Sequence, residues 1–199
     1  MASPPDAGAA RKQFLHVRVV IGVILGLSIG KLLQGLANMA EHPRRTAVWW
    51  VHLGWVLWAI LSVIGFWWWE YGLAQVEVWT IGTYLFVFAY AACYFMICAL
   101  LFPDDLSDWP GFEQYFLSRR TWFFGIIALT TLMDVADTQL KGAAYSAGLG
   151  LPYQVQIGAL LLICAIGAVS GNRRLQAAIL IAALIGRLLF FFTFYDRLG

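Results

Sequence analysis

The chain has 199 residues, of which 61% are hydrophobic and only 12% are charged. Soluble domains are about 25% charged, so this composition and a mean hydropathy of +0.74 argue against a soluble fold. The formal net charge of +2 is too small to indicate a nucleic-acid partner. Composition therefore predicts an integral membrane protein that contacts lipid over most of its length.

Six apolar runs, separated by short polar breaks, divide the sequence. A helix needs about 20 apolar residues to cross a bilayer, so we predict an all-α membrane bundle of six transmembrane helices. These helices form one domain, residues 14–199, after a short polar tail at 1–13. The predicted spans are 14–36, 45–69, 76–102, 120–141, 151–170 and 175–195. All three cysteines fall inside spans, which indicates packing rather than disulfides.

Arginine pairs stand at the start of spans 2, 4 and 6, and they predict three helical hairpins with basic bends. The bends hold six Lys or Arg residues, against four on the opposite side. Because cytoplasmic loops are enriched in Lys and Arg, we predict cytoplasmic bends, with both termini outside the cell membrane. The pairs are Arg44–Arg45, Arg119–Arg120 and Arg173–Arg174.

Span 1 carries Gly22, Gly26 and Gly30 at four-residue intervals, which places them on one helical face. Small residues so spaced favour close helix packing, and the face is a candidate seam for a homo-oligomer. The same stretch matches the G-x-S-x-G spacing of a hydrolase nucleophile elbow around Ser28. That motif requires a strand-to-helix turn, so we interpret the glycines as packing residues.

A hairpin of spans 1 and 2 would place Ser28 and His52 at similar depth, and Lys31 near Trp49. We interpret this arrangement as an interhelical hydrogen bond and a ring-stacked lysine. No third orienting group for a catalytic pair is predicted at that depth.

The acids in span 4 are its most informative residues, because a carboxylate at the centre of a spanning helix costs about 2.5–3.5 kcal/mol on insertion scales. Asp134 lies 14 residues beyond Arg120, and Arg187 lies 13 beyond Arg174. At 1.5 Å per residue, both are about 20 Å from the basic bends. The sequence therefore predicts that Asp134 and Arg187 share one level of the bundle.

Asp137 lies one turn further along span 4, on the face that also holds Thr130 and, four residues on, Lys141. Counting from the opposite side places Arg18 at the level of Asp137, and Tyr84 is a candidate for the same level. We therefore predict an Asp/Arg layer in which Arg187 and Arg18 neutralise Asp134 and Asp137.

Three functional hypotheses follow. The first is a small channel or transporter that carries protons, cations or a small polar solute through this layer. The second is a structural or assembly subunit in which the ion pairs only hold the helices together. The third is an intramembrane hydrolase that uses Ser28 and His52. We expect no cofactor and no metal, since the histidines lie at different depths and no metal-ligand cluster is present in the sequence.

The segments WWVHLGW, FWWWE, CALLFPDDL, RRTWFFG and DVADTQLKG together resemble uncharacterised bacterial integral membrane proteins. The resemblance covers most of the chain. It implies a multi-pass protein of the bacterial inner membrane and carries no activity with it.

Overall fold

The computed structural model describes residues 7–42, 47–76 and 78–194, and in these ranges it is all-helical apart from one isolated bridge between Ala47 and Gly111. A short 3-10 helix, Glu70–Gln75, follows the second helix. The arginine pair at 44–45 and the last residue of predicted span 6, Tyr195, lie outside the described residues. The helices are α1 Ala7–Glu41, α2 Trp50–Trp69, α3 Ile81–Leu101, α4 Phe112–Leu140, α5 Ala143–Val169 and α6 Arg173–Phe194.

Each of the six helices is long and apolar enough to cross a membrane, which fits a multi-pass membrane protein. Helices α4 and α5 begin eight residues before the corresponding predicted spans. The predicted spans follow the most apolar runs, whereas helical hydrogen bonding of the backbone continues into the less apolar residues that flank them. Helix α5 contains a break at Gly150, followed by Pro152, which has no N–H for the helical ladder.

The helices form a closed ring of contacts in the order α1, α3, α4, α5, α6, α2 and back to α1. Helix α2 also contacts α3 and α4, and it is the most buried of the six. Three tryptophans are buried on α2, namely Trp55, Trp58 and Trp69. Aromatic rings thus occupy much of the centre of the bundle, and most of the large exposed apolar side chains are aliphatic.

Three glycines permit the closest approaches between helices. A Cβ atom at Gly54 of α2 would overlap the Leu180 side chain of α6, and one at Gly167 of α5 would lie 2.5 Å from the ring of Phe124. A Cβ at Gly35 of α1 would overlap the ring of Phe102. Each glycine therefore gives a neighbouring side chain the space that a methyl group would occupy.

The inter-helix connections gather at two ends. At one end, the Phe112 N–H donates to the Ala47 carbonyl over 3.3 Å, and Arg173 forms an ion pair with Glu113. We call this the arginine-pair end. At the other end, the 3-10 helix after α2 lies against Lys141, in the turn between α4 and α5. We call this the Lys141 end.

Candidate functional site

Lys141 is the centre of a buried ion cluster at the Lys141 end. Its ammonium forms an ion pair with Asp137, one turn earlier on α4, and its Nζ lies 3.3 Å from Glu70 Oε1. It also donates to the Trp69 carbonyl over 3.1 Å. The side chains of Lys141 and Asp137 are 0% exposed and that of Glu70 is 5% exposed. One cation is therefore shared by two carboxylates in a site that excludes solvent.

Local sequence explains how the lysine becomes buried. Lys141 directly follows the last residue of α4, so its side chain can turn back along the helix toward Asp137. A Cβ at Gly72 would lie 3.1 Å from Lys141 Cδ, so this glycine leaves room for the lysine stem. The rings of Trp69 and Tyr145 lie 5.3 and 5.8 Å from Nζ and add cation–π attraction.

The charge of Lys141 is maintained by its neighbours. Burial lowers the pKa of this ammonium, but the carboxylates of Glu70 and Asp137 raise it by more. The net pKa lies above the ordinary lysine value, so Lys141 is charged at neutral pH.

Asp134 lies one turn deeper on α4 and is held by two phenols. Tyr153 of α5 donates to Asp134 Oδ2 over 2.7 Å, and Tyr90 of α3 donates to Oδ1 over 3.2 Å. Thr138 Oγ1 lies 3.1 Å from the Tyr153 hydroxyl. These bonds join three helices through one carboxyl group and form a continuous chain from Thr138 to Tyr90.

Arg187 of α6 lines the same small cavity as Asp134, and the cavity volume is about 40 Å³. This volume admits on the order of one or two water molecules. The guanidinium carbon lies 5.1 Å from the centre of the Trp58 ring. Among the described residues, Arg187 forms no direct ion pair. We use the name polar layer for the residues around Lys141 and this cavity, which are Glu70, Tyr90, Asp134, Asp137, Lys141, Tyr153 and Arg187.

The polar layer ends at an aromatic block on its arginine-pair side. Trp55 packs edge-on against Phe123 and Phe124, with ring centroids 5.2 and 5.3 Å apart, and Phe116 contacts all three rings. All four side chains are at most 2% exposed. The two halves of the bundle thus differ, since the polar layer occupies the half toward the Lys141 end and these aromatic rings close the other half.

The structure brings together some of the residues singled out from the sequence. Asp134 and Arg187 line one cavity, as the depth count predicted, and Thr130 lines it too. The Thr130 hydroxyl donates to the Ile127 carbonyl of its own helix over 2.7 Å. The i,i+4 relation between Asp137 and Lys141 is present as an ion pair.

The predicted partnership of Arg18 with Asp137 is wrong. Arg18 is exposed on α1, and its guanidinium lies 5.8 Å from the Trp67 ring and 5.9 Å from the Tyr71 ring. Asp137 is instead neutralised by Lys141. Depth counting places two residues at one level but does not say which helices are neighbours, and α1 packs mainly on α3.

Tyr84 does not join the polar layer. It is half-buried and stacks on His16, with ring centroids 6.3 Å apart. The contact joins α3 to α1 on the outer side of the bundle.

The three glycines on one face of α1 have different surroundings. A Cβ at Gly22 would lie 2.9 Å from Trp67, so this glycine packs against α2. Gly26 and Gly30 are exposed and a Cβ at either would meet no atom within 4 Å. They therefore do not pack helices within the described chain, and the homo-oligomer seam stays a prediction.

Ser28 and His52 are both buried, but they bond to different partners. Ser28 Oγ donates to the Ile24 carbonyl over 2.8 Å, and His52 Nε2 lies 2.7 Å from the Leu101 carbonyl. The His52 ring stacks on Phe112 with centroids 4.4 Å apart. The predicted bond between Ser28 and His52 is thus wrong.

Lys31 is also placed differently from the prediction. It forms an ion pair with Asp104 instead of stacking on Trp49. Asp104 belongs to the connection after α3, and the ion pair joins this connection to α1.

Sequence reasoning missed Glu70, Tyr90 and Tyr153. Glu70 directly follows the three tryptophans that end predicted span 2. From the arginine-pair markers, Glu70 lies 25 residues after Arg45 and Lys141 lies 21 after Arg120, so a depth count at 1.5 Å per residue puts them within about 6 Å of one level. The tyrosines carry no such signal, because buried phenols are common in aromatic-rich helices.

Comparison with protein-family models, with curated proteins and with solved structures found no match to this chain.

Proposed function

We propose that the chain is a small multi-pass protein of the bacterial inner membrane that carries protons through the polar layer. The observation that supports this cargo is the charge balance of the layer. Three carboxylates, Glu70, Asp134 and Asp137, face two cations, Lys141 and Arg187, in surroundings that solvent reaches poorly. A buried net charge is costly, so the layer favours binding one further positive charge.

A proton suits this position better than a larger cation. No described protein group donates a hydrogen bond to Glu70 Oε2 or Asp137 Oδ1, and both atoms are buried. A proton on either carboxyl group neutralises the excess charge and completes a carboxyl–carboxylate hydrogen bond between Glu70 and Asp137. A cation such as Ca²⁺ would require six to eight oxygen ligands, more than this space supplies.

The proposed route enters at the Lys141 end and reaches Asp134 through its hydrogen-bonded tyrosines. Passage beyond Asp134 requires the rings of the aromatic block to move apart, which is the step that alternates access between the two sides. We further propose that the six helices form three hairpins, with the arginine-pair end in the cytoplasm and the termini outside. A reporter enzyme that works only outside the cytoplasm should therefore be active when it is fused to the C-terminus.

The decisive variant is Glu70→Gln, because it removes the excess carboxylate and leaves the Asp137–Lys141 ion pair in place. Proton entry is measured in proteoliposomes loaded with a pH-sensitive dye. A potassium gradient with valinomycin provides the membrane potential that drives it. We expect proton entry to be faster with the wild-type protein than in empty liposomes. Glu70→Gln should reduce this protein-dependent flux at least ten-fold. Asp108→Asn, in an exposed loop, should keep the wild-type rate.

Elution of each variant as a single symmetric peak in size-exclusion chromatography shows that it is folded. Wild-type flux no faster than empty liposomes would refute proton transfer, and so would a folded Glu70→Gln variant at the wild-type rate.

A structural role is the second candidate, and the burial of the Lys141 cluster favours it. Lys141 ties the end of α4 to the segment that follows α2, so the cluster can hold two helices together without transport. In that case Glu70→Gln changes only stability, and no protein-dependent flux is present in the wild type.

A further inference from the structure

The first part of α5 covers the ion cluster around Lys141. Tyr145 packs edge-on against Trp69, with ring centroids 5.7 Å apart, and lies over the Lys141 ammonium. Ser146 accepts a hydrogen bond from Gln139 of α4 over 3.0 Å. We call residues 143–149 the cover segment. It stands between the Lys141 cluster and the surroundings at this end of the bundle.

A glycine flanks the cover segment on each side, and both glycines have conformations that other residues avoid. Gly142 has φ 111° and ψ 157°, and Gly150 has φ 60° and ψ −160°. This region of backbone space is essentially restricted to glycine. Among the described residues these two are the only glycines whose φ lies between about +20° and +160°, and no other residue type has positive φ. The cover segment is thus bounded by two joints at which the backbone can rotate with little steric restriction.

Few buried contacts hold the cover segment against the rest of the bundle. Tyr145 and Ser146 are half-buried and Leu149 packs on a small satellite cluster, whereas Ala143, Ala144, Ala147 and Gly148 are exposed. Pro152 also removes one hydrogen bond that would couple the cover segment to the rest of α5. Segments with few buried apolar contacts open locally at low free energy.

We propose that the cover segment is a gate that rotates about Gly142 and Gly150 to open the Lys141 end of the polar layer. In the closed state described by the structure, it keeps Glu70, Asp137 and Lys141 away from solvent. Opening lifts Tyr145 from Trp69 and breaks the Ser146–Gln139 bond. The gate regulates the site invoked for proton transfer and in that respect rests on the proposed function, but its motion is measurable without any flux.

A cysteine at position 138, next to Asp137 of the Lys141 cluster, reports opening of the gate. Thr138 is 1% exposed and is bonded to Tyr153. Thr138→Cys should react slowly with a small neutral reagent, methyl methanethiosulfonate, at a rate set by opening. Modification is followed by mass spectrometry of the peptide that carries the substituted position, which separates it from the peptides of the three native cysteines.

Hinge substitutions should change that rate in a defined direction. Alanine cannot adopt the Gly150 conformation without strain, so Gly150→Ala destabilises the closed state. We expect labelling at least five-fold faster, which corresponds to about 1 kcal/mol at 1.4 kcal/mol per ten-fold. The matched control is Gly148→Ala in the same segment, where a Cβ meets open space, and its rate should stay within two-fold of the parent.

A second experiment holds the gate closed with a removable cross-link. Gln139→Cys and Ser146→Cys, introduced together, can be joined by a short bifunctional methanethiosulfonate that a reductant removes. In this experiment the cysteine of Thr138→Cys is labelled with a small maleimide, which reacts irreversibly. We expect labelling to be at least ten-fold slower in the joined protein. Reduction of the linker should restore the rate. Either single cysteine treated with the same linker should leave labelling unchanged.

Equal labelling of the joined and separated proteins would overturn the gate. Absence of labelling in every variant, including Gly150→Ala, would do the same. If labelling follows the gate but wild-type proteoliposomes show no proton flux, the gate stands and proton transfer fails. If flux is present and unaffected by joining the two cysteines, proton transfer stands and the gate fails.

Discussion

The Lys141 cluster makes a strong prediction about stability, tested by Lys141→Met. Methionine keeps most of the stem that packs on Gly72 but removes the ammonium. Breaking a buried ion pair by deleting one partner costs about 3–5 kcal/mol. Here two carboxylates, Asp137 and Glu70, lose the same cation, so we expect a loss in the upper part of that range.

The free energy of unfolding can be measured in mixed micelles by titrating sodium dodecyl sulfate and following secondary structure. Lys31→Met is a matched control in the same chain, because its partner Asp104 has a side chain 95% exposed. Exposed ion pairs contribute about 0–1 kcal/mol, so this variant should remain close to the wild type.

A double-mutant cycle separates the ion pair from packing. Asp137→Asn in the Lys141→Met background removes one of the two orphaned charges, so its cost should be smaller there than in the wild type. We expect a coupling energy of about 0.5–3 kcal/mol. A cost for Lys141→Met no larger than that of Lys31→Met, together with no coupling, would refute the view that this cluster is a buried, tightly paired site.

The packing of the bundle gives two further predictions, measured by the same unfolding titration. Gly167→Ala places a methyl group 2.5 Å from the Phe124 ring and should lower the free energy of unfolding by about 1–3 kcal/mol. The control Gly158→Ala has open space at its Cβ and should be neutral or stabilising by up to about 1 kcal/mol. Equal effects of the two substitutions would contradict the close α4–α5 contact. His52→Phe leaves the buried Leu101 carbonyl without its donor and should cost about 1–3 kcal/mol, and an unchanged unfolding free energy would show that the 2.7 Å contact contributes nothing.

Depth along the helices could be predicted from the sequence, but lateral neighbours could not. The arginine pairs served as markers from which Asp134 and Arg187 were placed at one level, and both line one cavity. The same counting failed for Arg18, because a rise per residue contains no information about which helices touch. Glycine patterns show the same limit: the regular face of α1 is mostly exposed, and the glycines in closest contact are isolated ones such as Gly54 and Gly167.

The sequence by itself determined the helical class, the six apolar helices and the presence of costly acids in α4, because length, hydropathy and the free-energy cost of a buried charge are local properties. It also determined the Asp137–Lys141 pair, since residues four apart on a helix face each other. Only the tertiary structure decided that Glu70 joins this pair, that Tyr90 and Tyr153 hold Asp134, and that the cover segment closes one end. These partners come from other helices and from the turn after α2, and the ring order of the helices is set by side-chain packing summed over the whole bundle.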